Sequence, residues 1–151
     1  MTQNTLIPRI GFGTYRHLGD VAYRSVTDAL EIGYRHIDTA EMYDNEREVG
    51  KAIANSKLKR NEIWLTTKVQ PAHLGPGQVM PHVKASLERL GVDRVDLLLI
   101  HWPSVGDEYE ANNYLEQLAE IKSRKLATNI GVSNFTKKYI DAALRVLGKD
   151  I

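Results

Sequence analysis

Along the chain, short runs of β-branched and aliphatic residues alternate with longer stretches in which apolar positions recur every three or four residues. Side chains repeat every second residue in a strand and every 3.6 in a helix, so the alternation predicts βα units. It recurs about every 25–35 residues, the size of one such unit. Strands are predicted over Ile10–Thr14, Tyr34–Asp38, Ile63–Val69, Val95–His101 and Asn129–Ser133. The run Leu97-Leu98-Leu99-Ile100 is apolar without alternation, as a parallel strand covered on both faces requires.

The helices between them have readable ends. Asp20 can cap the first, in which Val21, Val26, Ala29 and Leu30 share a face and which Gly33 can end. Asn45 precedes a shorter second, with Val49, Ala52 and Ile53 together. A third runs from about Gln78 to Leu90 on Val79, Val83, Leu87 and Leu90, with Pro81 in its first turns, where a missing N–H does least harm. Leu115, Leu118 and Ile121 mark a fourth that ends near Lys125. Thr136 can cap a fifth, with Ile140, Ala143, Leu144 and Leu147 inward and Gly148 after it.

Five βα units therefore follow one another with no Gly/Ser linker or low-complexity tract, so residues 1–151 are expected to form one α/β domain. The 20 basic and 19 acidic residues are spread evenly and leave a net charge of +1, which argues against the concentrated positive field that nucleic acid needs. The absence of cysteine removes disulfides, thiolate catalysis and thiolate-bound zinc, and fits a reducing compartment. Residues 1–8 lack a signal-peptide core and the longest apolar run is far too short for a bilayer, so the expected location is the cytoplasm, with no membrane role.

Repeated βα units suit a doubly wound sheet or a barrel, and a glycine-rich phosphate loop after the first strand would favour the former. Gly11-Phe12-Gly13-Thr14 lacks the third glycine, and its GxG half-motif can serve tight strand packing or phosphate contact. More telling are the polar residues at strand ends: Asp38 closes the second strand, Lys68 lies near the end of the third, His101 ends the fourth and Ser133 the fifth. In a βα barrel these ends share one face, where active sites are built. Singly, Asp38 can cap a loop, His101 can be a structural histidine and Tyr43 a surface aromatic.

Together they describe an acid catalyst. A phenol near pKa 10 holds its proton too firmly at neutral pH. A lysine beside it would lower that value, and an aspartate paired with the lysine would fix it in place. Asp38 on the adjacent strand is the natural partner for Lys68, and His101 can orient a substrate oxygen. Such a site protonates an oxygen as hydride reaches the adjoining carbon, and nothing in it asks for a metal.

Six segments, Gly11 to Thr14, Tyr34 to Ala40, Tyr43 to Glu46, Thr66 to Lys68, Asp96 to Pro103 and Ile130 to Phe135, resemble the aldo-keto reductases in order and spacing. The likeness is to the bacterial 2,5-diketo-D-gluconate reductases, particularly the B type, and it spans almost the whole chain. It implies a (β/α)8 TIM barrel, of which these are the first five βα units, and reduction of aldehydes or ketones by NADPH. It implies Tyr43 as general acid, Lys68 and Asp38 as its tuning pair, and His101 as the substrate-orienting residue. Ser133 and Asn134 would hold the nicotinamide carboxamide, with Gly13, Thr14 and Asp38 also along the cofactor. Tyr15, Trp102 and His101 would line the substrate pocket; Tyr15 and Trp102 can equally be packing residues.

Two features depart from the family pattern. Val69-Gln70-Pro71 stands where a pocket tryptophan often follows the catalytic lysine. Five units also leave out the aromatic that would stack on the nicotinamide and the basic loop that would grip the adenosine phosphate. An incomplete barrel leaves unpaired strand edges, so self-association, a partner chain or a truncated product is the alternative to a working reductase.

Overall fold

The computed structural model describes residues 6–148 and 151. Five parallel strands form one sheet in the order β1-β2-β3-β4-β5. They are β1 (Phe12–Gly13), β2 (His36–Asp38), β3 (Trp64–Val69), β4 (Val95–Ile100) and β5 (Ala127–Val132). Helices α1 (Gly19–Glu31), α2 (Glu46–Asn55), α3 (Val79–Leu90), α4 (Ala111–Ser123) and α5 (Lys137–Leu147) follow the strands in turn. Sequential strands joined by helices and lying side by side are what short right-handed crossovers produce.

The register sorts the strand residues into two faces. Ile37, Leu65, Val69, Leu98, Ile100 and Ile130 are buried toward the helices with Val26, Val49, Val83, Leu115 and Leu118. Asp38 pairs with Thr66, Thr66 with Leu97, Lys68 with Leu99 and Leu99 with Gly131, so these residues line the opposite, concave face. That face is less covered: Leu97 and Leu99 are half-buried, whereas the leucine run predicts burial on both sides.

The predicted strands and helices are all present, with some altered faces. β1 keeps two of five expected residues, and His36, not Tyr34, begins β2. Val21 is exposed and Ala22 takes its place beneath α1, with Leu18 in the cap position ahead of Asp20. On α5, Ile140 and Leu144 are exposed while Ala142, Ala143 and Leu147 are buried; Thr136 occupies the cap position without a side-chain cap bond. The exposed pair lies on the outer flank of the last helix, which α4 covers from one side.

Buried polar contacts fix the elements that carry the concave face. Glu46, at the start of α2, accepts from the Thr67 hydroxyl at 2.5 Å and pairs with Arg89 of α3 at 2.7 Å. One nearly buried carboxylate thus joins α2, β3 and α3. Gly50 lets α2 approach α3: a Cβ there would stand 2.3 Å from the Leu90 carbonyl oxygen. At the far end of the sheet, Asp96 accepts from Leu65 N–H at 2.9 Å and from Arg60 at 2.7 Å.

Candidate active site

The C-terminal strand ends bring Asp38, Lys68 and His101 together with Tyr43. Lys68 Nζ donates to Asp38 Oδ1 at 2.5 Å and to the Thr39 carbonyl at 2.9 Å. The lysine is buried, so both contacts compensate a charge withdrawn from water. Tyr43 ends the single 3-10 turn Glu41–Tyr43 after β2. Its ring lies 5.1 Å from Lys68 Nζ, 5.5 Å from the His101 ring, which it meets edge-on, and 5.1 Å from the Tyr15 ring.

The electrostatics correct one expectation. Burial, then the charge of Asp38 and the neighbouring Tyr15, raise the Tyr43 pKa above its ordinary 10.0, in place of the expected lowering by Lys68. Lys68 is engaged by Asp38 and Thr39, and the Asp38 charge acts on the phenol in the opposite sense. Tyr43 rests as a firmly protonated donor. Burial and the nearby Lys68 charge also push His101 below 6.5, making its neutral form dominant at neutral pH. His101 Nδ1 is buried with no hydrogen-bond partner among the described residues, a polar atom still owed one.

The remaining predicted residues divide. A Cβ at Gly11 would meet His36 Nδ1 at 2.7 Å, so that glycine serves tight packing, whereas one at Gly13 would meet nothing within 4 Å. Gly13 therefore leaves the floor beside Asp38 open. Thr14 is fully buried and its hydroxyl donates to the Asp38 carbonyl at 3.1 Å, so its side chain is spent on the fold. Ser133 N–H donates to the Ile100 carbonyl, continuing the sheet. Asn134, at φ 59°, turns its amide nitrogen to the His101 carbonyl at 2.9 Å and to Ser133 Oγ at 3.0 Å. Tyr15 and Trp102 are 60% and 48% exposed, so neither is a core packing residue.

Asn45 is the positioning residue that its motif contains but residue type alone does not reveal. It is buried, its Oδ1 accepts a hydrogen bond from the Thr39 hydroxyl at 2.7 Å and its Nδ2 donates to the Thr14 and His17 carbonyls, each at 2.9 Å. It stands just before α2 without a side-chain cap bond and ties the Tyr43 loop to the segment after β1. Two open hollows, of about 150 and 630 Å³, lie at the opposite end, around Trp64, Asp96 and Arg94, away from this chemistry.

Residues 9–151 match the model of the Aldo/keto reductase family. The chain belongs to that family. It is 46% identical over 144 residues to methylglyoxal reductase DkgB of Salmonella typhi, covering 95% of this chain and 54% of that protein. An aldo-keto reductase of Mycolicibacterium smegmatis is 39% identical over 142 residues, covering 94% of this chain and 51% of its own. The solved structure of a putative 2,5-diketo-D-gluconic acid reductase B superposes with TM-score 0.89 at 38% identity, over 95% of this chain and 50% of the other. The chain thus spans about half the length of the family members it matches, and its five strands are part of an aldo-keto reductase TIM barrel. No described helix is long and apolar enough to cross a membrane.

Proposed function

We propose that this chain carries the catalytic part of an NADPH-dependent reductase that converts aldehydes or ketones to alcohols, with activity conditional on further βα units closing the barrel. The observation that carries the reading is the convergence of Tyr43, the Lys68–Asp38 pair and His101 at the strand ends. Such a constellation has little to do for core packing and fits proton transfer to an oxygen.

Tyr43 is the proton donor in this reading. Its raised pKa keeps the proton in place until charge develops on a carbonyl oxygen within reach of the phenol. Lys68 holds its position through Asp38 and Thr39, and its ammonium, 5.1 Å from the Tyr43 ring, offsets the phenolate left by proton transfer. His101, held neutral, orients the carbonyl oxygen, and exposed Tyr15 and Trp102 bound the approach. A bound nicotinamide cofactor would supply the hydride. The residues that fit it are Gly13, whose missing side chain leaves space beside Asp38, and the Ser133–Asn134 pair. Methylglyoxal and 2,5-diketo-D-gluconate are the substrate types suggested by the relatives' names, and a cytoplasmic setting agrees with the cysteine-free chain.

NADPH consumption with methylglyoxal tests the assignment. Tyr43→Phe keeps the ring and loses the acidic proton, and a drop of about 10²-fold or more in kcat is expected. Turnover equal to the parent protein removes Tyr43 from the mechanism. A second reading, association through the unpaired edges of β1 and β5, draws on the half-buried Leu97 and Leu99 of the concave face. A stable complex with no nucleotide affinity would favour it.

A further inference from the structure

Beside the candidate active site, three residues far apart in sequence form a cluster that the proposed reaction does not use. Glu41 opens the turn that ends at Tyr43, His73 ends the short turn Pro71–His73 after β3, and His82 lies in the first turns of α3. Glu41 Oε1 is 2.9 Å from His73 Nδ1 and 2.7 Å from His82 Nδ1. The two imidazoles stack with centroids 3.4 Å apart and planes 17° from parallel. The other carboxylate oxygen accepts from the Gln70 backbone N–H at 3.2 Å.

The Glu41 side chain is 7% exposed, yet among the described residues no lysine or arginine pairs with it. The carboxylate is met there by the Gln70 N–H and two imidazole nitrogens and by no fixed cation among the described residues, an arrangement that favours a cation. Both ring nitrogens aim at one oxygen, and all three donor atoms lie within 4.8 Å of one another. Two imidazoles and one carboxylate are a ligand set suited to zinc, with bonds of about 2.0–2.2 Å and a fourth position left for water. We propose that Glu41, His73 and His82 bind one transition-metal dication of the zinc type.

Binding needs no oxidant and no net proton loss: each ring proton shifts from Nδ1 to Nε2, exposing a lone pair, and the rings open slightly from their stack to converge on the ion. Nitrogen donors select zinc, cobalt, nickel or copper over magnesium or calcium. His73 and His82 keep 27% and 33% of their side-chain surface exposed, giving the ion a path from solvent. The bound ion would tether the Tyr43 turn to the segment after β3 and to α3. The inference stands on this cluster alone and is independent of the reductase reading.

Cobalt(II) titration of the tag-free, chelator-treated full chain, followed by visible absorption, tests it. One equivalent per chain is expected, with a dissociation constant on the order of micromolar, displaced by zinc and not by magnesium. His73→Gln and His82→Gln should each weaken binding by about tenfold or more, and the double variant should abolish it, while His17→Gln should not change it. Absence of a cobalt band, or unchanged affinity in the double variant, overturns the proposal. Should a variant misfold, diethyl pyrocarbonate mapping of the unaltered protein decides: zinc should shield His73 and His82 from modification, and equal modification with and without zinc overturns the site.

Discussion

His36 shows how one half-buried side chain can set the pH response of this fold. It sits on the concave face two residues before Asp38, with Nε2 2.9 Å from Thr66 Oγ1 and Gly11 packed on its ring. Burial lowers its pKa below 6.5, with the Lys68 charge adding to the effect and Asp38 and Asp96 opposing it. A histidine that binds its proton less readily folded than unfolded leaves the unfolded chain with more protons, so stability falls as pH drops through 6.5 toward the folded value. His101 acts in the same sense. The melting temperature is therefore expected to decline between pH 7.5 and 5.5, about a window that brackets the free imidazole pKa. His36→Gln can keep a polar contact to Thr66 without a titrating group and should flatten that decline. An equally steep curve in the variant would show that His36 is not a source of it. Asn45 illustrates the complementary point: its three hydrogen bonds make it a brace for Tyr43, and no property of an isolated asparagine foretells that.

At the scale of elements, the α2–α3 contact depends on a glycine. Alanine normally favours a helix interior over glycine by about 1 kcal/mol, so Gly50→Ala would stabilise an exposed helix. Here the added Cβ would meet backbone, the Leu90 carbonyl oxygen at 2.3 Å, and the helices must part. Overpacking of this kind typically costs about 1–3 kcal/mol, and its larger values exceed the helix gain. Because Glu46 of α2 also bridges Thr67 and Arg89, moving α2 strains that buried pair as well. A fall in Tm of roughly 2–8 °C by calorimetry is expected, and a rise would show that the helices separate freely. These same elements show what periodicity can and cannot reveal. Val49, Ala52 and Ile53 on α2, and Val79, Val83, Leu87 and Leu90 on α3, lie on buried faces as their spacing predicts, because both helices have neighbours on each side. Val21, Ile140 and Leu144 fit a helical stripe equally well but lie on the outer helices, where no neighbour covers the stripe's edge. Strand-end chemistry at Asp38, Lys68 and His101 is legible because polar residues interrupt aliphatic runs. The Glu41–His73–His82 cluster is not, since its members are 32 and 41 positions apart and meet only through folding.

Across the whole molecule, covering is uneven, and the sheet order says where. β3 and β4 have six residues each and a strand on either side, whereas β1 has two residues and β5 one strand neighbour. The face toward the helices is closed over Leu65, Val69, Leu98 and Ile100, while the concave face leaves Leu97 and Leu99 half-covered, a surface that closure into an eight-strand barrel would fill. Local opening follows the loss of buried contacts and of paired backbone, so amide hydrogen exchange should slow from the edges toward the centre. The amides of Thr67, Val69, Leu98 and Ile100 are expected to exchange slowest, through global unfolding. Those of β1 and the first turn of α5 should exchange faster, by local fraying. Native-state exchange across a denaturant series separates the two: the central amides should share one strongly denaturant-dependent isotherm, and the edge amides should show little dependence. Equal protection of β1 and β4 would mean that the open edge is covered in solution, as by a second chain or by further barrel units. That outcome would rule out an exposed half-sheet, because the open edge beside Gly13 and Asp38 would then have a neighbour, whichever chain supplies it.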